Sequence, residues 1–481
     1  MNEYKTFAQR IGLIGVTNLI LSLSNVILLP ILTKSLSIEE YGVWAQFMVT
    51  IGIIPLTILL GLPFTLNRFL PSLKKKEDIQ EAFYSIFFVV TFISMIVSFV
   101  IYLFSDTIAS LLFDDNVNII NILCLTLFIE CLNNLFFNYL RATQQIKKYS
   151  ILLLIQTLLN IIFVSLFVFT GQGILGAMMG FIIKGIIVFL VLFFIIFYEI
   201  GFKIPKFLSL REYLEFGLPT IPSNLSSWIV DSSDRYVIGI LMGAAFVGIY
   251  SPGYTLGNII NMFFAPFSFI LPPVLSIHYD NNDFDQVGTI LSYAIKYFTS
   301  IAIPSVLGLS LLSKPLLSIL TTPEIASQGY LITPFTALSS FLFGLYGIIS
   351  HICILEKKTK IIGKIWITSA LLNLILNFVF IPYIGILGAA ITTLIAYLFS
   401  FIISYQYCSK LFTFDIKIEF IMKSILSSLL MSLIIIEMKP DGLYDILLTI
   451  GLCTISYGVI MILLKGFEKE ELDFFKSIIK V

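Results

Sequence analysis

Long apolar stretches follow one another along the whole chain, and short polar segments separate them. Each stretch is about 20 residues long, which is the length that an α-helix needs to cross a lipid bilayer. Inside hydrocarbon every backbone N–H and C=O must find a partner within its own segment, so such runs are typical of helices. The pattern predicts an all-α integral membrane protein with about fourteen transmembrane helices. The predicted spans are 11–33, 43–66, 82–104, 117–140, 149–170, 174–198, 212–230, 246–275, 290–312, 329–352, 361–381, 385–408, 417–437 and 443–464.

Two of these spans have ambiguous features. In the seventh, 212–230, Pro219, Pro222 and several polar side chains interrupt the apolar pattern. The first follows Lys5 and Arg10 as a signal peptide would, but it contains no small-residue cleavage site. We therefore interpret it as a retained transmembrane helix.

Composition indicates that lipid surrounds most of the chain. The hydrophobic fraction is 58% and the charged fraction is 12%, whereas soluble domains are about a quarter charged. The formal net charge is zero, so no nucleic-acid partner is expected. Four of the five cysteines lie inside apolar runs and none forms a CxxC pair. Neither disulfides nor a metal site is predicted, and no cofactor is expected.

The distribution of positive charge predicts the orientation. With both termini inside, most of the 29 Lys and Arg residues fall in cytoplasmic segments, among them Lys74, Lys76, Lys357 and Lys358. Cytoplasmic loops of membrane proteins are enriched in these two residue types. The chain is therefore predicted to lie in the cell (inner or plasma) membrane with both termini in the cytoplasm.

Two short motifs recur along the chain. Residues 173–177 (GILGA) recur as 385–389, and residues 40–44 (EYGVW) are similar to 246–250 (FVGIY), at an offset of 206. An even number of predicted spans separates the copies, so the two halves should share one orientation. They should be related by a pseudo-twofold axis along the membrane normal, with a cavity between them. The predicted domains are a six-helix bundle at 1–198, a cytoplasmic linker at 199–211, a second six-helix bundle at 212–408, two appended helices at 409–464 and a cytoplasmic amphipathic tail at 465–481.

Two stretches of sequence resemble a known family. Residues 32–44 (LTKSLSIEEYGVW) are similar to the family's short turn after the first helix. Residues 234–239 (DRYVIG), followed by Gly243 and 247–250 (VGIY), are similar to its junction of helices seven and eight. With the length, the twelve-plus-two spans and the repeat, the chain resembles the polysaccharide flippases of the multidrug, oligosaccharidyl-lipid and polysaccharide exporter superfamily.

The resemblance implies a transporter and not an enzyme. Its substrate would be an undecaprenyl-diphosphate-linked oligosaccharide, moved by alternating access from the inner to the outer leaflet for O-antigen, capsule or other surface polysaccharide. Its partners would be this lipid-linked substrate, membrane lipids and the polymerase or glycosyltransferases of the same pathway. A cation-coupled antiporter of drugs or metabolites shares the architecture and stays open, as does the coupling ion, proton or sodium. A polytopic glycan polymerase or glycosyltransferase is disfavoured, because such chemistry needs acid, base or metal-binding groups on a sizeable loop.

Polar residues inside the predicted helices are candidates for the transport site. A charge at the centre of a membrane helix costs about 2.5–3.5 kcal/mol. Glu130, Asn134 and Asn138 lie on one face of the fourth predicted helix. They could face the cavity, with Glu130 carrying a coupling proton, or Glu130 could be a structural carboxylate. Lys184 could bind the diphosphate or neutralise Glu130, and the ion pair is slightly favoured because desolvated charges are tolerated mainly when paired.

A second polar face lies on the seventh predicted helix. Asn224, Trp228, Asp231 and Arg235 share this face, and the helix is entered through two prolines that allow it to bend. Such a segment could line a transporter site, or its outer end could be a solvated cap. The other candidate substrate contacts are Asn18, Asn25, Arg68, Tyr250, Tyr254 and Asn258. Their simpler interpretations are helix packing for Asn18 and Asn25, a topology signal for Arg68 and interfacial anchoring for the tyrosines.

Overall fold

The computed structural model describes residues 17, 20, 21, 24, 26–113, 115–468 and 471. Within these residues the chain is helical and contains no β-strand. The helices are α1 (Val26–Ser35), α2 (Ile38–Ile58), α3 (Leu62–Phe69), α4 (Lys76–Leu103), α5 (Ser105–Leu112), α6 (Val117–Ala142), α7 (Ile146–Phe169), α8 (Gly173–Ile200), α9 (Leu210–Gly217), α10 (Ile221–Met242), α11 (Ala244–Gly257), α12 (Asn261–Asp280), α13 (Phe284–Leu320), α14 (Pro323–Gly329), α15 (Ile332–Leu355), α16 (Thr359–Ile384), α17 (Ile386–Leu411), α18 (Ile418–Met438) and α19 (Leu443–Leu463).

Twelve helical runs of the described chain are long and apolar enough to cross a membrane, with α11 and α12 counted as one run. They correspond to the predicted spans other than the first and the seventh. About half of the first predicted span lies outside the described residues, and its C-terminal part is α1. The seventh is present as α9 and α10, and α10 is too polar to belong to the twelve. The predicted class, an all-α multi-pass membrane protein, is confirmed.

Helix boundaries differ from the prediction where local chemistry starts or stops a helix. Helix α2 begins before the predicted start because Ser37 caps it. The Ser37 hydroxyl accepts the Glu40 N–H, and the Glu40 carboxylate accepts the Ser37 N–H. The predicted span 43–66 is also broken in two, since Leu60 and Gly61 adopt φ angles of 49° and 70°. This left-handed backbone ends α2 and lets α3 begin as a separate helix.

The chain folds into two compact units. Unit 1 comprises Met1–Ser251 and Trp366–Thr392, and unit 2 comprises Pro252–Ile365 and Thr393–Val481. The predicted division into two six-helix bundles, a linker and an appendage stays a prediction.

Each unit has its own apolar core. In unit 1 the core joins α2, α3, α4, α6 and α8 and contains Phe136 and Leu192, both fully buried. In unit 2 the main core joins α12, α13, α15 and α17 around Phe298 and Ile348. A smaller cluster, which includes Met431, packs α18 and α19 against α13. These cores fix the helices that present the polar residues described below.

The repeat found in the sequence is also present in the geometry of unit 1. Helices α2 and α11 begin at Ile38 and Ala244, which have the same offset of 206 residues as the motifs. A Cβ atom on Gly42 would overlap the carbonyl oxygen of Ala244, and a Cβ atom on Gly248 would overlap that of Ile38. The contact is reciprocal: each glycine packs on the first residue of the other copy's helix. Glycine at these two positions allows the two helices to approach closely.

The two copies of the second motif also adopt the same local structure. Helix α8 begins at Gly173 and α17 begins directly after Gly385, and these glycines have φ angles of 58° and 63°. Three residues further on, Gly176 and Gly388 each pack closely against the backbone of the helix that precedes them. Equivalent positions of the repeat therefore adopt equivalent local structures.

Candidate functional site

A buried ion pair joins α6 to α8 in unit 1. The Lys184 ammonium donates a hydrogen bond to Glu130 Oε1 at 2.8 Å. The Lys184 side chain is 3% exposed and that of Glu130 16%. The ammonium also lies 3.6 Å from the ring centroid of Phe181, at the distance of a cation–π contact. Lys184 was considered either as a diphosphate-binding residue or as the partner of Glu130, and in the structure it forms an ion pair with Glu130.

Amide side chains extend this polar face of α6 beyond the ion pair. Asn138 Nδ2 donates to the carbonyl oxygen and to Oδ1 of Asn134, at 2.9 and 3.0 Å. Asn67 of α3 donates from Nδ2 to Asn138 Oδ1 at 2.9 Å. Asn134 is exposed and Asn138 is half-buried. We call Glu130, Asn134, Asn138 and Asn67 the polar row. Sequence spacing identified its three members on α6, but it gave no indication that α3 would add Asn67.

Arg68 is exposed, and its guanidinium carbon lies 6.0 Å from the ring centroid of the adjacent Phe69. It follows Asn67 directly in α3. Arg68 is thus an exposed cation on the same short helix as Asn67.

Helix α10 carries a second polar group, and most of it is buried. Arg235 Nη1 donates to the backbone oxygen of Asp231 at 3.0 Å and to Asp234 Oδ1 at 3.1 Å. The Tyr250 hydroxyl of α11 donates to Asp234 Oδ2. Asp234 is 1% exposed, Arg235 8% and Tyr250 0%. Asp234 and Arg235 are thus not a solvated cap, because their charges are neutralised by each other inside unit 1.

The aromatic part of the same helix packs on α2. The Tyr236 hydroxyl and Thr50 Oγ1 are 2.6 Å apart. The rings of Trp228 and Tyr236 lie 5.9 Å apart, and a Cβ atom on Gly52 would lie 3.0 Å from Trp228 Nε1. Asn224 is half-buried on α10 and accepts the Ser227 hydroxyl at its carbonyl oxygen. On the predicted face of α10, Trp228 thus contacts α2, and the neighbouring Tyr236 adds a second contact with that helix.

Two asparagines of α16 form a buried polar network that the sequence reasoning missed. Asn373 Oδ1 accepts hydrogen bonds from Ser233 Oγ at 3.3 Å and from Asn377 Nδ2 at 3.2 Å. Thr392 Oγ1 donates to Asn377 Oδ1. Asn373 and Asn377 are both fully buried. Residues 371–373 (LLN) are identical to residues 158–160, and this short repeat is the sequence signal for Asn373.

The described residues contain no group of three or more His, Cys, Asp or Glu side chains that could hold a metal ion.

Two of the remaining candidates lie in unit 2. Tyr254 is buried, and Asn258 Oδ1 accepts hydrogen bonds from Asn261 Nδ2 and from Ser340 Oγ. Asn18 and Asn25 lie outside the described residues.

Comparison with known proteins gives the family. Residues 31–325 match the model of a family described as polysaccharide biosynthesis protein. A probable low-salt glycan biosynthesis flippase, Agl15 of Haloferax volcanii, is 22% identical over 283 residues, 58% of this chain and 59% of that protein. The probable flippase AglR of the same organism is 26% identical over 238 residues, 48% of each chain. The chain thus spans about three fifths and about half of the length of these relatives.

Solved structures of transporters share the fold. The lipid II flippase MurJ, in an inward closed conformation, superimposes with a TM-score of 0.76 at 19% identity, covering 96% of this chain and 99% of that one. An inward-facing multidrug resistance MATE family transporter of the MOP superfamily gives a TM-score of 0.67 at 18% identity, covering 81% and 95%. Because the family model covers more than half of the sequence, this chain belongs to the polysaccharide biosynthesis protein family.

Proposed function

We propose that this protein is a flippase that moves a polyprenyl-diphosphate-linked oligosaccharide from the inner to the outer leaflet of the cell membrane, by alternating access, for surface polysaccharide synthesis. Membership of the polysaccharide biosynthesis family supports this proposal, as do the flippases among its relatives. The observation that carries it is the polar row, a set of carboxylate and amide side chains on α6, which is long and apolar enough to span a membrane, and on the short helix α3.

The substrate makes two different demands on the protein. Its polyprenyl chain can stay in lipid, but its sugars and diphosphate must cross a region where unpaired polar groups are costly. Amide side chains can both donate and accept hydrogen bonds, so Asn134 and Asn138 suit sugar hydroxyls. The Glu130–Lys184 pair keeps this surface polar without leaving a net charge in the membrane.

We assign the diphosphate to Arg68 in this proposal. Lys184 is held by Glu130 and by the face of Phe181, whereas Arg68 is exposed and follows Asn67 in α3. A guanidinium can bind phosphate oxygens in bidentate geometry. With both termini in the cytoplasm, Arg68 would lie on the cytoplasmic side, where the substrate is made. The protein itself would form and break no covalent bond.

A cation-coupled antiporter of drugs or metabolites is the second candidate, and the fold shared with a multidrug transporter favours it. The two functions differ in what accumulates when the protein is lost. A strain without the flippase would keep lipid-linked oligosaccharide on the inner leaflet and export less glycan. A strain without an antiporter would export glycan normally and retain an amphipathic dye.

The test is complementation of a deletion strain. The wild-type chain should restore glycan export, whereas Asn134→Leu should lower the export rate by about tenfold, since a lost hydrogen bond to substrate costs about 1–2 kcal/mol. Asn118→Leu is the matched control, an exposed asparagine in the first turn of the same helix. Normal glycan export in the deletion strain would overturn the proposal.

A further inference from the structure

A second buried lysine, Lys296 of α13, is held by a residue that follows the last helix. Lys296 is 3% exposed, and its ammonium lies 2.8 and 2.6 Å from the two carboxylate oxygens of Glu471. The Tyr297 hydroxyl donates to Glu471 Oε1 at 2.9 Å, and the Glu468 N–H donates to Oε2 at 2.7 Å. Four hydrogen bonds therefore converge on one carboxylate, which is itself 7% exposed.

The surroundings of the pair are apolar. The ammonium of Lys296 lies 5.2, 5.7 and 5.9 Å from the ring centroids of Phe420, Tyr293 and Phe467. In such an environment a charge that loses its partner is strongly destabilising. Among the described carboxylates, Glu468 also approaches Lys296, but at 4.0 Å and with a side chain that is 56% exposed. Glu471 therefore supplies most of the neutralising charge.

The other contacts of this segment are weaker. The Glu468 carboxylate pairs with Lys417 at 3.2 Å on an exposed surface, and Lys423 Nζ donates to the Lys465 carbonyl oxygen at 3.3 Å. Phe467 packs on Phe420 with ring centroids 5.6 Å apart. Exposed ion pairs contribute about 0–1 kcal/mol each. The Glu471–Lys296 pair is thus the contact that decides whether the segment stays docked.

Unit 2 contains a cavity between the helices that this segment joins. The cavity has a volume of about 470 Å³ and lies between α13, α18 and α19, with Ile301, Pro304, Met431 and Cys453 among its lining residues. Pro304 and Pro315 lie inside α13, and proline removes a helical hydrogen bond and allows a helix to bend. Helices α18 and α19 are therefore joined to α13 by side-chain packing around a cavity and by the segment that follows α19.

We propose that residues 465–468 together with Glu471 form a reversible latch, which holds α18 and α19 against α13. Glu471 is the residue of the segment that holds it in place, and Lys296 is its binding partner on α13. When the latch opens, water reaches Lys296 and the two helices move away from α13. The latch concerns the motion of these helices and does not depend on which substrate the protein carries.

Cys453 allows a direct test because it lines the cavity and is 5% exposed. The full chain is prepared with its other four cysteines replaced by alanine, and the rate of Cys453 alkylation by N-ethylmaleimide is measured in native membranes. Glu471→Gln should raise this rate at least tenfold, which corresponds to about 1.4 kcal/mol in the opening equilibrium. Tyr297→Phe removes one hydrogen bond and keeps the ion pair, so it should raise the rate by a smaller factor.

Glu468→Gln is the matched control, since it removes a neighbouring carboxylate but leaves the Glu471–Lys296 pair in place. Its alkylation rate should stay within about twofold of wild type. Equal rates for wild type and Glu471→Gln would overturn the proposal, and so would an equal increase for Glu468→Gln and Glu471→Gln. If Glu471→Gln fails to fold, the order of the Tyr297→Phe and Glu468→Gln rates decides the question. A faster Tyr297→Phe supports the latch, and equal rates contradict it.

Discussion

Each of the two units contains a lysine that is almost fully buried and paired with a glutamate. In unit 1 Lys184 and Glu130 lie on α8 and α6, which pack against each other within one core. In unit 2 Lys296 lies on a packed helix, but its partner Glu471 lies on a segment that follows the last helix. The first pair cannot separate without unpacking helices. The second can separate by undocking a few residues, so losing the carboxylate should have unequal energetic consequences in the two units.

The largest effect is expected for Glu130→Gln. It leaves the Lys184 charge buried between two helices that cannot move apart, so the free energy of unfolding should fall by about 3–5 kcal/mol. Denaturant titration in lipid–detergent micelles measures this change. Glu199→Gln is the control in the same unit, since its pair with Lys148 is partly exposed and should contribute about 1 kcal/mol or less. Equal losses of unfolding free energy for the two variants would contradict the expectation that the buried pair contributes more stability than the exposed pair.

Glu471→Gln should cost less than Glu130→Gln. Hydrogen bonds to a charged group contribute about 1.5–3 kcal/mol, and undocking limits the loss because water then solvates Lys296. The same titration measures it. A loss as large as that of Glu130→Gln would mean that the latch cannot open. The ion pairs of unit 1 and unit 2 would then not differ in their ability to separate.

A smaller effect is expected from the aromatic rings beside the two lysines. Phe181→Leu removes the ring that lies 3.6 Å from the Lys184 ammonium, and a desolvated cation–π contact contributes about 2 kcal/mol. Phe420→Leu removes a ring at 5.2 Å from Lys296 and should cost less. Phe181→Tyr keeps the ring face and serves as the control. If both leucine variants lose the same stability, ring distance does not matter here.

The smallest effect on stability is expected from changing the pH near neutrality. Burial alone would raise the pKa of Glu471, but hydrogen bonds from Lys296, Glu468 N–H and Tyr297 outweigh it, so the pKa lies below its ordinary value of 4.5. The stabilisation by the latch is therefore present above pH 4.5 and is lost as the pH falls through the lowered pKa. Lys417, Tyr293 and the Glu468 carboxylate also face this site.

The difference in melting temperature between wild type and Glu471→Gln measures this contribution, because the titrations of all other groups are common to both proteins and cancel in the difference. It should be constant from pH 6 to 8 and shrink below pH 4.5. A difference that vanishes between pH 6 and 8 would contradict the assignment of Glu471 as an ionised partner.

The sequence predicted the all-α membrane class and most of the spans, because the length of an apolar run is a local property. Twelve of the predicted spans are present as apolar helices, and the repeat offset of 206 predicts the start of α11 from that of α2. The break of α2 at Gly61 was not predicted. A left-handed backbone at one residue does not disturb the apolar pattern on either side of it.

The candidate site was predicted only in part. Helical spacing showed that Glu130, Asn134 and Asn138 share a face, but spacing does not say which helix that face meets. Asn67, Asn373 and the Glu471–Lys296 pair were missed for this reason. The last pair joins residues 175 positions apart, and no local pattern connects a lysine in α13 with a glutamate beyond α19.

The central claim is that the polar row carries sugars across the membrane. Proteoliposomes that contain the protein and a labelled polyprenyl-diphosphate oligosaccharide test it most directly, with an impermeant oxidant reporting how fast inner-leaflet sugar becomes accessible. We expect rapid protein-dependent exposure, slowed about tenfold by Asn134→Leu and unchanged by Asn118→Leu. Exposure no faster than in protein-free vesicles, or equal rates for the two variants, would contradict this account.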